Sequence, residues 1–229
     1  MGNTIRATAP AADIRDDVQA TMRNAERKGG DILAAATARV APHAERLTTS
    51  ILSAEASQTA LDAAMQAVLR ADEPADRLIK RQRDGLWNAL DRPRESPVMN
   101  DVYPGGVGTY TDCDVRIQPT MMQVLEARIG LISHPAVSAE QRAAWQAEIA
   151  AARTTLADTL APLQAAEAVD VVADKALKAA ARAAAVGLAR FKRDLKNMGL
   201  TETQIHEIIP DRPVSSGRTS GPTGTPPTP

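Results

Sequence analysis

The side chains with the most chemical capacity collect in one stretch. Between Asp91 and Pro119 the sequence reads DRPRESPVMNDVYPGGVGTYTDCDVRIQP, which holds both tyrosines, Tyr103 and Tyr110, the only cysteine, Cys113, and the aspartates Asp101, Asp112 and Asp114. Phenols and carboxylates gathered in a glycine-rich turn could serve acid–base chemistry, so Tyr103, Tyr110 and Asp112, with Asp101 and Asp114, are the residues an enzyme would draw on. Gly105, Gly106 and Gly108 could wrap backbone amides round a phosphate. No lysine follows them, however, and the next helical pattern starts too late to lend its N-terminus to an anion. Cys113 lies between two aspartates whose charge opposes thiolate formation. The aspartates lack the ordered spacing of a calcium loop. The expected arrangement is a tight turn whose tyrosines pack over a bundle end with their hydroxyls at its rim.

His43, His134 and His206 are scattered, and no Glu-x-x-His, His-Glu-x-x-His or paired-cysteine pattern occurs. His206 stands four residues after Glu202, a helix-surface spacing. The residue types therefore assign no catalytic constellation, no metal and no cofactor.

Two basic stretches remain. Arg77, Lys80, Arg81 and Arg83 form the first; Lys175, Lys178, Arg182, Arg190, Lys192, Arg193 and Lys196 form the second, with Asp174 and Asp194 the acids in the same span. A cationic helix is the one feature here that could hold a polyanion, either nucleic acid or an anionic membrane surface. A solvated face shielding an alanine-lined seam explains both stretches without a ligand. Scarce aromatic residues disfavour single-strand stacking.

These residues sit on elements whose period is helical. Ile14, Val18, Met22 and Ala25 recur on one face, and Gly29-Gly30 breaks the run before Asp31, a candidate cap. A heptad-like seam follows through Ala36, Val40, Ala44, Leu47, Ile51, Ala54, Leu61, Met65 and Val68. Pro42 lies within it and predicts a kinked continuous helix, while Asp72, Glu73 and Pro74 predict the start of the next. Prolines and glycines make 91–116 a central non-helical loop. Pro119 opens a helix to a turn at Ser133-His134-Pro135, and Ser138 with Gln141 forms a capping box for a second long helix, interrupted by Pro162. Its seam runs through Trp145, Ile149, Ala152 and Leu156, then Leu177, Ala181, Ala184, Leu188, Phe191, Leu195 and Met198. Gly199 is placed as a helix stop, and Thr201 with Gln204 reads as cap and box for a short last helix.

The expected fold is all-α: an elongated helical bundle of two long proline-kinked helices plus two or three shorter ones. One domain is expected over 13–209, with a flexible N-terminus at 1–12 and a disordered Pro/Thr/Gly/Ser-rich tail at 211–229. Parallel placement of Pro42 and Pro162 hints at an old duplication. Composition agrees, since aromatics make up 2% of the 229 residues while the hydrophobic share is 44% and dominated by alanine. Alanine favours close-packed slender helices over a thick core.

The net charge of -1 gives no whole-molecule attraction to polyanions. A single cysteine, no apolar leader and no membrane-length apolar run suggest a cytoplasmic protein, and the arginine and alanine bias suggests a bacterial, GC-rich source. The leading functional expectation is a non-catalytic structural or protein–protein interaction protein that offers coiled-coil-like faces to a partner or to itself. Polyanion binding through 175–196 is the alternative, and an enzyme built on the central loop is the third.

Overall fold

The computed structural model describes residues 9–210. The expected tail at 211–229 and residues 1–8 of the expected lead-in lie outside the described residues. Within them the chain is all-α, with eight helices and no strand. Two are long: α3 (Ala41–Ala89) has 49 residues and α7 (Ala139–Asn197) has 59. The others are α1 (Ala11–Lys28), α2 (Gly30–Arg39), α4 (Pro97–Val102), α5 (Gly108–Thr111), α6 (Gln118–Gly130) and α8 (Glu202–Ile208). They form two compact units, the first from residues up to Ala54 and from Ala173 onward, the second from Glu55–Val172.

The first unit packs α1, α2 and α8 on the opening turns of α3 and the closing turns of α7. Ile14, Val18 and Ala25 of α1, Leu47 and Ile51 of α3, Leu188, Phe191 and Leu195 of α7, and Ile205 and Ile208 of α8 make one core. Phe191, the only phenylalanine, is fully buried. Polar ties fasten the ends: Asn24 Nδ2 donates to the Ile208 carbonyl at 3.0 Å, and Lys28 pairs with Glu207 at 2.8 Å. Gly187 lets α7 approach the α2–α3 junction, since a Cβ there would stand 2.7 Å from the Arg39 carbonyl oxygen.

The second unit packs the remainder of α3 against α4, α5, α6 and the first part of α7. Its core joins Val68, Ile79 and Leu86 of α3 to Met122, Leu125 and Ile129 of α6 and Ile149, Leu156 and Leu163 of α7. The α3–α7 seam passes through Ser57, whose hydroxyl donates to Asp170 at 2.9 Å, then Leu61, Ala64 and Val68.

Several boundaries differ from those the sequence suggests. The helical run does not continue, kinked, through Pro42. It breaks at Val40, and Pro42 sits in the first turn of α3, where its missing amide leaves no hydrogen bond unmade. Conversely, Asp72-Glu73-Pro74 starts no helix: Pro74 lies inside α3. An interior proline costs a helix about 3 kcal/mol, and the burial of Val68, Ala75 and Ile79 on either side holds the helix together across it. Pro162 is interior to α7, as expected. Asp31 makes no cap, since Gly29 is the N-cap residue of α2 and no side-chain cap bond forms there. The stretch 91–116 is not wholly non-helical, for it carries α4 and α5. Ser96 caps α4, accepting from the Met99 amide at 3.3 Å, and Pro97 takes the first helical position. Met65 and Met198 leave the buried seam and are 48% and 42% exposed.

Candidate functional site

The central stretch places its phenols inside. Tyr103 and Tyr110 are 4% and 1% exposed, and their rings meet edge to face with centroids 5.8 Å apart. The Tyr110 hydroxyl donates to the Val102 carbonyl at 2.7 Å within the core. This corrects the expected rim position: the tyrosines close α4 and α5 onto α6. Burial pushes both phenols above their ordinary range, which removes them as bases near neutrality. Asp112 is exposed and accepts from the Thr111 hydroxyl at 3.0 Å, so Tyr103, Tyr110 and Asp112 are not brought to one surface. Asp101 is exposed too, and Asp114 accepts the Arg116 amide at 2.8 Å.

A contact the sequence hides joins this stretch to α3. Gln118 donates to Asp76 at 2.7 Å. Burial, then the neighbouring charge of Asp72, raises the Asp76 carboxyl above its ordinary range. Burial also raises the Cys113 thiol, followed by repulsion from Asp76, Asp72 and Asp114. The carboxylates opposing the thiolate are thus mainly those of α3, not the adjacent Asp112. Among the described residues no three His, Cys, Asp or Glu side chains are arranged to hold a metal ion. The histidines stay apart: His43 borders Gly187, His134 Nδ1 accepts the Ala136 amide at 3.2 Å, and His206 lies 3.7 Å from Glu202.

The basic end of α7 divides by face. Lys178 pairs with Asp174 at 2.6 Å. Lys192 and Lys196 converge on Glu202 of α8, whose carboxyl is held below its ordinary range first by the hydrogen bond from Lys196 and then by Lys192. Asp194 is drawn to Arg39 at 2.8 Å. The exposed Lys175, Arg182, Arg190 and Arg193 make no ion pair among the described residues. At 100° per residue they fall within a sector of about 80°, and Val186, 47% exposed, lies between them.

The first basic stretch divides likewise, and this division builds a groove. Arg77 and Arg81 join Arg70 along α3, above a floor of Ala71, Pro74, Ala75 and Leu78, with Glu148, Ala151, Ala152 and Thr155 of α7 opposite. The groove holds about 730 Å³. Arg81 pairs with Glu148 at 3.1 Å, and Arg77 pairs with Glu73 one turn back. Arg83 turns instead to Trp87, its guanidinium 5.7 Å from the ring, and to Asp84. Charge clustering along the sequence missed Arg70, although its spacing of seven and eleven residues to Arg77 and Arg81 is the signal of one helical face. Gln82, buried beneath, donates to the Trp145 carbonyl and to Glu148, both at 3.1 Å, and holds α7 in register.

Apolar side chains also stand in solvent around the second unit. Met65 and Leu69 of α3 and Val169, Val171 and Val172 of α7 are 48–67% exposed, and Leu131, just after α6, is 81% exposed. No helix among the described residues is long and apolar enough to cross a membrane. No protein-family profile, curated protein or solved structure matches this chain.

Proposed function

We propose that this is a non-catalytic helical protein that works by contact, presenting helix faces to a protein partner. The observation that carries the reading is the distribution of groups. The phenols sit in the core, while Met65, Leu69 and Val172 and the small-residue groove stand open on α3 and α7. Met65 and Leu69 stand four residues apart on one face of α3, and an apolar face of this kind beside an open groove is what a docking partner would cover. Photo-crosslinking tests it in the native host, with a photoreactive residue at Leu69 or Val172 of the full chain and at Glu95 as background. Discrete protein adducts at the first two positions are expected. Adducts no stronger than at Glu95 from these positions and from the groove between α3 and α7 would remove the reading.

A second reading, binding of a polyanion such as nucleic acid or an anionic membrane, is favoured by one observation: Lys175, Arg182, Arg190 and Arg193 share an exposed sector of α7 without an acid among them. Four phosphate contacts would give DNA affinity a salt slope of about -3.6 on a log–log scale. A salt titration with duplex DNA and with anionic vesicles, showing no binding at low ionic strength, excludes it.

A further inference from the structure

We infer that the groove between α3 and α7 receives an acidic amphipathic helix of a partner protein, an inference that rests on the contact reading above. Charge complementarity selects the partner. Arg70, Arg77 and Arg81 line the groove against one acid, Glu148. Arg77 and Arg81 are held only by exposed pairs to Glu73 and Glu148, and Arg70 makes no ion pair among the described residues. Exposed pairs of this sort contribute about 1 kcal/mol or less and exchange readily for a better-placed carboxylate.

The spacing selects a helix. Along α3 the three guanidinium stems are separated by seven and four residues, about 10 and 6 Å at 1.5 Å per residue. Acids seven and four apart on a helix lying along α3 meet that row. The floor selects an amphipathic one: Leu78, Pro74 and the alanines let a backbone come close and bury leucine-sized anchors. A nucleic-acid backbone would leave this apolar floor uncovered, and no aromatic ring lines it for stacking.

The test places a photoreactive residue at Thr155, in the groove wall, of the full chain, and maps the crosslinked segment by mass spectrometry. The expected segment carries leucine-type anchors at helical spacing with acids on one flank. Its synthetic peptide is expected to bind the purified protein and to lose about tenfold or more in affinity against the Arg77→Glu or Arg70→Glu variant. Ala151→Trp, an exposed substitution that fills the groove without changing charge, is expected to abolish binding while the circular-dichroism melt stays unchanged. Mapping to nucleic acid, to a second copy of this chain or to a segment without acids overturns the inference, as does a peptide indifferent to both variants. Protein adducts from Leu69 or Val172 with none from Thr155 sink the groove and leave the contact reading standing. Adducts from none of the three sink both.

Discussion

Replacing Gly187 by alanine ought to destabilise the protein, although helix propensity alone says the opposite. In an unhindered helix the change gains about 1 kcal/mol. At Gly187 the added Cβ would stand 2.5 Å from His43 Cδ2 and 2.7 Å from the Arg39 carbonyl oxygen. Ordinary contacts lie near 3.5 Å, so the neighbours must withdraw by close to an ångström. His43 can rotate; the Arg39 carbonyl belongs to backbone at the end of α2 and cannot move alone. Overpacking of this kind costs about 1–3 kcal/mol, leaving a net loss of up to about 2 kcal/mol. For a chain of this size each kcal/mol moves Tm by about 2–4 °C. Gly85→Ala is the matched control, because its Cβ would meet only the Trp145 ring, with Cζ2 at 3.4 Å and Cε2 at 4.0 Å. Thermal and urea unfolding followed at 222 nm should show Gly187→Ala falling and Gly85→Ala rising by about 1 kcal/mol. If Gly187→Ala rises as well, the close approach of α7 to the α2–α3 junction is wrong.

Three further outcomes follow from single contacts. Tyr110→Phe strips the Val102 carbonyl of its buried donor and should cost about 1–3 kcal/mol in urea unfolding, whereas a hydroxyl at a solvated rim would cost almost nothing. Asp91 lies at φ 63° in the turn that closes α3, where Arg92 N donates to the Trp87 carbonyl at 2.9 Å. Asp91→Gly should therefore stabilise by about 1 kcal/mol, and a lower urea midpoint would contradict that backbone geometry. Burial and Asp72 raise the Asp76 carboxyl in the folded state. The folded protein then binds that proton more tightly than the unfolded chain, and stability falls as pH rises from the ordinary carboxylate range through the raised value. Asp76→Asn should unfold at a higher urea concentration than the parent at pH 7 and show no such advantage at pH 3, and an equal change at both would remove the titration as its cause.

The sequence by itself determined the class of structure and many of its ends. Ala-rich heptad spacing sufficed for two long helices, Gly29 with Gly30 for a break, and Thr201 with Gln204 for a capping box whose two halves both form. These are local signals, carried by residues within one or two turns of each other. Proline was not decidable locally. Pro42 and Pro74 each lack an amide, but whether that ends a helix depends on what the flanking turns bury, and α3 begins at one and passes through the other. Tertiary contact alone decided the chemistry as well. A phenol at the rim and one in the core have the same sequence neighbours, and only packing into the core of the second unit takes Tyr103 and Tyr110 inside. Arg70, Arg77 and Arg81 became the wall of a groove because Gln82 and Ser57 hold α7 at one register beside α3. A helical face can be read from spacing; what stands across from it is set by contacts between residues more than sixty positions apart, which no local pattern records.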